Sequence, residues 1–220
     1  MHTAVREALW FHLAFFLVAL PALYLAQGAA YGWTLLWLVI GYNLALPAWA
    51  LVRGHTEWLW LWLFLLPLSC AQVVPDWVLV EVTRTLVFPD HGSPRIGGAV
   101  PVAFMGMWLM ALLPLVLIAQ SSRRPYLTMG LLSLLVFTFW EWAARPLRLW
   151  HGQNVWLVYG VAVYTLLPEV LLGLMTLTAY RSLRSAGPAI RVLGALGVSV
   201  FYAGALVISL LLTERLFSPG

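Results

Sequence analysis

The sequence predicts an all-α membrane protein, a polytopic bundle of about seven transmembrane helices that forms one integral domain over residues 1–220. The chain is 63% hydrophobic and only 9% charged, with a mean hydropathy of +0.91, whereas soluble domains carry about 25% charged residues. Its apolar residues fall in stretches of about 20, the number that crosses a hydrocarbon core about 30 Å thick. Its charged residues fall mainly in the gaps between these stretches.

The apolar stretches define the predicted spans. These spans are residues 8–27, 33–52, 58–74, 100–120, 126–144, 155–180 and 192–212. The first stretch is longer than the apolar core of a typical signal peptide, so we interpret it as a true span. The spans leave no room for a separate soluble domain, and function is therefore expected inside the bundle or in its loops.

The arginines predict the orientation, since all twelve basic residues are arginine. The N-terminal side carries Arg6, Arg53, Arg123, Arg124, Arg181, Arg184 and Arg191, and the opposite side carries Arg84, Arg95, Arg145, Arg148 and Arg215. Because cytoplasmic loops carry the excess of basic residues, we expect a cytoplasmic N-terminus in a bacterial cytoplasmic membrane. Basic residues placed in this way orient a bundle, so no nucleic acid partner is expected.

Several classes of site are not predicted. The single cysteine, Cys70, allows no intrachain disulfide and no cysteine-ligated zinc or iron–sulfur site. The sequence has no phosphate-binding loop, no dinucleotide fingerprint, no nucleophile elbow and no closely spaced histidine pair. We therefore expect neither a metal ion nor another cofactor.

One connection, residues 75–99, is much longer than the others. It contains Asp76, Glu81, Arg84, Asp90, His91 and Arg95. Ordered loops of this length are commonly functional. Its first half is apolar enough to lie in the interface or to dip between helices, and its second half is rich in turn residues. Glu81, Asp90 and His91 are candidates for activating water or accepting a proton.

Two acidic residues lie within predicted spans, where ionisable side chains are costly and usually functional. Glu169 lies deep in the sixth span, directly after Pro168. On a helical wheel it shares a face with small and hydroxylated residues: Ala162, Thr165, Gly173 and Thr176. This stripe either lets another helix approach closely or lines a cavity. A carboxylate that only caps a neighbouring helix is a further alternative.

Glu141 lies near the end of the fifth span, between Trp140 and Trp142. Arg145 follows four residues later, so a surface ion pair is one interpretation. The other is a carboxylic acid held among aromatic side chains as a proton donor, with aromatic faces that stabilise a developing cation. Helix rise predicts that Glu141 and Glu169 lie about 10–15 Å apart along the membrane normal. Separate roles are therefore expected for them.

Two blocks of the sequence form distinctive motifs. The first block is Gly92-Ser-Pro94, Ile96-Gly-Gly98, Val100-Pro101 and Met107-Trp108, preceded by Glu81, Thr83 and Thr85; the second is Tyr159-Gly-Val161 followed by Gly173. Together they resemble motifs of membrane-bound carotenoid hydratases. Ala162 stands where that pattern has proline. The Pro168-Glu169 pair also resembles the Pro-x-Glu-Glu motifs of small membrane lycopene and terpene cyclases.

The resemblance implies a protein that modifies an isoprenoid or carotenoid lipid, in which a carboxylic acid protonates a double bond and hydration or cyclisation follows. Glu141 and Glu169 are then the candidate acids, assisted by Glu81, Asp90 and His91. The candidate substrate-binding residues are Trp108, Trp140, Trp142, Tyr159 and Thr165.

Two other functions stay open at this point. One is a non-catalytic subunit or scaffold of a membrane complex, such as a pigment-containing one, whose helices pack against partner chains or further copies. The other is a small transporter, although no inverted repeat is visible. The partners expected in all three cases include membrane lipids.

Overall fold

The computed structural model describes residues 3–217 and confirms an all-α bundle. The helices are α1 (Thr3–Leu25), α2 (Ala29–Arg53), α3 (Thr56–Ala71), α4 (Val73–Trp77), α5 (Phe104–Ser121), α6 (Pro125–Ala144), α7 (Val163–Ser182) and α8 (Pro188–Phe217). Within the described residues, seven helical segments are long and apolar enough to cross a membrane. The chain is therefore an integral membrane protein by the length and composition of its helices.

The third span is longer than predicted. It runs from Thr56 to Val82, because α4 and a π-helical turn, Val78–Val82, continue directly from α3. The sequence predicted that this span ends at Val74, directly before Pro75. Pro75 instead lies in the first turn of α4, where its missing N–H costs little. As a result, Asp76 and Glu81 lie in the span rather than in a loop.

The fourth and sixth spans begin later than predicted, because short strands precede them. The strands are β1 (Leu86–Val87), β2 (Arg95–Ile96), β3 (Val100–Pro101), β4 (His151–Gly152), β5 (Leu157–Val158) and β6 (Val161–Ala162). β5 and β6 form a hairpin whose turn residues, Tyr159 and Gly160, both have positive φ. A two-residue turn of this kind matches the twist of an antiparallel pair. Residues 155–162, predicted as the start of a span, therefore form a hairpin.

The core lies where the central helices meet. α3 packs against α5 and α8, α6 packs against α7, and α7 packs against α8. α5 is the most buried of the spanning helices. In α1 and α6, only about a fifth of the residues in the most apolar stretch are buried. The exposed leucine, tryptophan and phenylalanine side chains of the outer helices suit contact with lipid.

The connections 83–103 and 145–162 close one end of the bundle, which we call the outer end. β1 of the first connection pairs with β4 of the second. Arg95 holds the first connection in shape, since its guanidinium donates to the carbonyl oxygens of Phe88, Pro89 and Ala99 at 2.7–2.9 Å. The outer end is thus a folded cap above the helices.

Candidate active site

Three carboxyl groups line one cavity beneath the outer cap. Asp76 comes from α4, Glu141 from the last turn of α6 and Glu169 from the second turn of α7. Their charges are close enough to interact with one another. Helix rise predicted different depths for Glu141 and Glu169 on the basis of a sixth span that begins at residue 155. Because α7 begins at Val163 instead, both residues lie within two turns of the outer ends of their helices, and they line the same cavity.

Glu169 is the most buried of the three acids, with 3% of its surface exposed. Its Oε2 atom has no hydrogen-bond partner among the residues that the structure describes. Pro168 precedes it in α7, and the stripe that we described on this helix faces inwards: Thr165 and Ala162 line the cavity with Glu169, while Gly173 packs against Ser133 of α6. One part of the stripe therefore lines the cavity, and another part lets a neighbouring helix approach closely.

Asp76 was not among the predicted site residues. It is 5% exposed, and its Oδ2 atom is buried with no hydrogen-bond partner within the described part of the chain. The signal that identifies it is the apolar run Trp77 to Val80, which extends the third span past the proline and makes Asp76 an ionisable residue within a span. Unpartnered buried carboxyl oxygens usually have a ligand, a water molecule or a chemical role.

Glu141 is held by the loop that follows its own helix. The indole Nε1 of Trp150 donates to Glu141 Oε1 at 2.9 Å. Arg145 is exposed at the start of that loop, and the hydrogen bond of Glu141 is to Trp150. Glu141 therefore lies among aromatic side chains, as the second interpretation of its sequence position expects, and its hydrogen bond is not part of a surface ion pair with Arg145.

Aromatic side chains form about half of the cavity wall. They are Phe88, Phe104, Trp108, Phe137, Trp140, Trp150, Tyr164 and Tyr202. Trp108 packs against Phe137 with ring centroids 5.7 Å apart and against Tyr202 at 5.6 Å. Aromatic faces attract a cation that lies within about 6 Å of the ring centroid. A positive charge that formed beside the carboxyl groups would thus be surrounded by suitable rings.

The cavity itself is small, with a volume of about 40 Å³. Such a space holds only a few water molecules. The roof consists of residues from the outer cap, among them Leu86, Phe88 and Gly152. Thr165 contributes its side chain to the wall, but its hydroxyl group donates to Ala162 O at 2.9 Å and is already partnered.

A larger apolar groove adjoins the cavity on the lipid-facing side. This lateral groove, of about 540 Å³, lies between α1, α2, α5 and the end of α6. Met107, Trp140 and Trp150 line both spaces, so three shared side chains form the boundary between them. Trp142 lines the groove but not the cavity, and 53% of its surface is exposed. The lateral groove and the cavity are therefore neighbours, separated by these three side chains.

The other predicted site residues lie outside the cavity. Glu81 is exposed on the π-helical turn. Asp90 has an 82% exposed side chain whose Oδ1 accepts from Gly92 N–H. His91 donates from Nε2 to Arg148 O at 2.8 Å and packs against Tyr31 in the outer cap. Tyr159 is 93% exposed at the hairpin turn.

Among the described residues, no three histidine, cysteine, aspartate or glutamate side chains are grouped so as to hold a metal ion. The three cavity carboxyl groups share a space, but they do not converge on one point. The geometry is that of separate acidic groups around a small aromatic chamber.

A family model matches residues 73–213, nearly two-thirds of the chain, and this range contains every residue that lines the cavity. Comparison with curated proteins and with solved structures gave no match. The lateral groove takes part of its wall from α1 and α2, which precede the matched range. The chain belongs to the family described as a domain of unknown function, DUF6989.

Proposed function

We propose that this protein is an integral membrane enzyme that modifies an isoprenoid lipid such as a carotenoid by protonating a carbon–carbon double bond, followed by hydration or cyclisation. One observation carries the proposal: three carboxyl groups line a single aromatic-walled cavity that adjoins an apolar groove open to lipid. Proton donors, cation-stabilising rings and a lateral route for a lipid-soluble substrate are the elements that this chemistry needs.

The three carboxyl groups divide the roles of acid and base. Burying several negative charges in one cavity is costly, so at least one group is held as the neutral acid while another remains a carboxylate. We assign proton donation to Glu169, because its Oε2 is buried and free of other hydrogen bonds. Asp76, with a free Oδ2, is the matching acceptor. Glu141 is oriented by Trp150 and supports either step.

The proposed reaction balances without a further reagent. Glu169 transfers its proton to one carbon of the double bond, and the other carbon becomes a cation. In hydration, water adds to the cation and gives its proton to a carboxylate. In cyclisation, a second double bond attacks the cation, and the new cation loses a neighbouring proton to a carboxylate. The product is a hydrate or a cyclic isomer, and the acid is regenerated.

The sizes of the two spaces support this arrangement. The cavity of about 40 Å³ is too small for a polyene, whereas the lateral groove of about 540 Å³ falls within the range of small-molecule sites. The reacting carbons would enter between Met107, Trp140 and Trp150, and the remaining apolar chain would stay in the groove. Water in the cavity is scarce, which protects a cation from early capture.

The finer localisation is part of the proposal. We place the chain in a bacterial cytoplasmic membrane with its N-terminus in the cytoplasm. Two arginines of the outer end make contacts within the fold: Arg95 binds three carbonyl groups, and Arg148 donates to Ala26 O and lies 4.7 Å from the Tyr31 ring centroid. On the N-terminal side, Arg53 pairs with Glu7 and Arg191 donates to two carbonyl groups, so the excess of two arginines on that side is unchanged and supports this orientation.

Turnover in deuterated water tests the proposal. Purified protein in lipid vesicles is incubated with acyclic polyenes and terpenoids in D₂O, and the products are analysed by mass spectrometry. We expect a hydrate or a cyclic isomer that carries deuterium at the protonated carbon. Glu169→Gln should lower the rate by at least about 10²-fold, the typical contribution of a general acid.

Glu81→Gln is the matched control, because Glu81 is an acidic residue of a span that lies outside the cavity. It should convert substrate at the wild-type rate. Retained conversion by Glu169→Gln would remove the assigned acid. Wild-type protein that converts no polyene and co-purifies with other membrane chains would support the complex-subunit alternative instead.

A further inference from the structure

Three hydroxyl groups form a continuous hydrogen-bonded chain from the cavity wall to the outer end of the bundle. The Tyr164 hydroxyl lies 3.1 Å from Thr85 Oγ1, and Thr85 Oγ1 lies 2.8 Å from Thr83 Oγ1. Tyr164 lines the cavity from the first turn of α7. Thr83 and Thr85 follow the π-helical turn of the third span. We call these three side chains the hydroxyl chain.

The direction of the hydrogen bonds follows from the last partner. Thr83 Oγ1 donates to Leu79 O at 3.2 Å. Because its proton is used there, Thr85 donates to Thr83, and Tyr164 donates to Thr85. The Tyr164 oxygen is then left as an acceptor on its cavity side. A hydroxyl both donates and accepts, so rotating the three groups in turn moves a proton along the chain.

The burial of the three residues changes along the chain. Tyr164 and Thr85 are buried, whereas Thr83 is only half-buried at the outer end. Tyr164 also interacts electrostatically with Asp76, Glu141 and Glu169. The hydroxyl chain therefore runs from the wall of the cavity that holds the carboxyl groups to the outer end of the bundle, which the cap covers.

We propose that Tyr164, Thr85 and Thr83 are the route by which the cavity carboxyl groups exchange protons with water at the outer end of the bundle. A water molecule in the cavity completes the path between Tyr164 and Glu169, and the volume allows it. For inward transfer, the three hydroxyl groups first rotate so that Thr83 donates to Thr85 and Thr85 donates to Tyr164. For each proton that then enters at Thr83, one leaves Tyr164 for a carboxylate. No group is oxidised or reduced. The inference rests on the proposed function only in naming Glu169 as the acid that the route supplies.

The route determines the source of the hydrogen in the product. After cyclisation, the proton taken by a carboxylate can return to Glu169 inside the cavity, so turnover does not require exchange with water. With the hydroxyl chain intact, solvent protons mix with this internal proton. When the chain is broken, the substrate's own proton is reused. Tyr164, Thr85 and Thr83 are thus positioning residues for proton transfer and do not form bonds to the substrate.

Infrared spectroscopy tests the route without any substrate. Vesicle-reconstituted protein is transferred from H₂O to D₂O, and the C=O band of the buried carboxylic acid is followed as its proton exchanges. Glu169→Gln assigns the band by removing it. In Thr85→Val, a similar shape without the hydroxyl, we expect exchange to slow by about tenfold, as for the loss of one hydrogen bond.

Two variants control for folding and for local shape. Thr85→Ser keeps the hydroxyl and should restore the wild-type exchange rate. Thr178→Val removes a threonine hydroxyl of α7 that donates to Leu174 O, and it should leave exchange unchanged. A wild-type exchange rate in Thr85→Val would overturn the route. The absence of any band that Glu169→Gln removes would overturn both the route and the assigned acid.

The deuterium content of the product separates the two proposals. In D₂O, Thr85→Val should still convert substrate, but its cyclic product should contain several-fold less deuterium than the wild-type product. Equal deuterium content would overturn the route while leaving the proposed function standing. If wild-type protein converts no polyene, the proposed function fails, and slowed exchange in Thr85→Val would still support the route.

Discussion

Trp150 donates a hydrogen bond of 2.9 Å from its indole Nε1 to Oε1 of Glu141. Glu141 lies in the last turn of α6, and Trp150 belongs to the outer cap, so the bond ties the cap to a carboxyl group of the cavity. The Trp150 ring also packs edge-on against Phe104 at the start of α5, with centroids 5.6 Å apart. The position of this carboxyl group therefore depends on α5, α6 and the cap together.

Trp150→Phe tests this arrangement. Phenylalanine keeps most of the ring packing but cannot donate to Glu141. We expect conversion of the polyene to fall by about tenfold, since a hydrogen bond to a charged or buried acid contributes roughly 1.5 kcal/mol or more. Trp37→Phe, at an exposed position of α2, is the control and should behave as wild type. Unchanged conversion by Trp150→Phe would show that the bond does not position Glu141.

The lateral groove is tested by filling it. Ala143→Trp places a large side chain in the groove beside Trp142. We expect kcat/KM to fall by at least about tenfold, because the apolar chain of the substrate loses its place, while infrared exchange of the Glu169 band stays unchanged. Conversion at the wild-type rate would contradict entry through this groove.

Ala205→Trp is the matched control for the groove. Ala205 lines a second apolar groove of about 580 Å³ between α7 and α8, and none of the residues that line this second groove lines the cavity. Both variants replace an alanine that faces lipid by tryptophan. The proposal predicts a selective loss in Ala143→Trp, and equal losses in the two variants would indicate a general effect on folding.

Gly173→Ala tests the contact between α6 and α7. A Cβ atom at Gly173 would overlap the Ser133 hydroxyl and lie 3.0 Å from Ser133 Cβ. Overpacking of this kind costs about 1–3 kcal/mol, and thermal unfolding in detergent should show a lower Tm. Adding Ser133→Ala should recover part of the loss.

Gly197→Ala is the control, because a Cβ atom there meets nothing within 4 Å. Alanine favours a helix over glycine by about 1 kcal/mol, so this variant should be at least as stable as wild type. Equal stability of Gly173→Ala and Gly197→Ala would contradict the close contact.

A second buried polar pair lies in the bundle, away from the cavity. Tyr42 donates its hydroxyl proton to His12 Nε2 at 2.6 Å, and His12 donates from Nδ1 to Ala8 O at 2.6 Å. Tyr42→Phe should lower the free energy of unfolding by about 1–3 kcal/mol, because the buried hydrogen bond between the hydroxyl and Nε2 is lost. His12→Phe with Tyr42→Phe should lose less than the sum of the single changes. Additive losses in a double-mutant cycle would contradict the pairing.

Much of the fold follows from the sequence, because the bilayer imposes it. Apolar stretches of about 20 residues without charges have few alternatives to spanning helices. The boundaries were predicted less well where local chemistry overrides hydropathy. Pro75 lies in a new first turn and does not end the third span, and Tyr159-Gly160 forms a hairpin turn within an apolar stretch. Neither effect is visible in a hydropathy pattern.

The site was predicted only in part, for a physical reason. Glu141 and Glu169 are recognisable because they are ionisable residues within spans. Asp76 was assigned to a loop with the wrong span boundary, and the same rule identifies it once the helix is known to continue. The choice of Glu81, Asp90 and His91 depended on the assumption that the connection 75–99 folds inwards. The directions of the side chains in this connection depend on the tertiary contacts of the outer cap. No short sequence motif predicts those contacts.

His12 shows a different limit of the sequence. It is also an ionisable residue within a span, yet it lies away from the cavity and is satisfied by Tyr42 and Ala8. The same sequence signal thus marks both a candidate catalytic acid and a structural hydrogen bond. Only the tertiary contacts, unpartnered carboxyl oxygens in one case and complete pairing in the other, distinguish the two.

The most direct test of the central claim is mass spectrometry of the lipids extracted from cells that express the wild type, Glu169→Gln or Glu81→Gln. If the cavity acids protonate an isoprenoid, Glu169→Gln cells accumulate a polyene that wild-type and Glu81→Gln cells convert into its hydrate or cyclic isomer. Identical isoprenoid profiles in all three strains, each with expressed and folded protein, would contradict the claim.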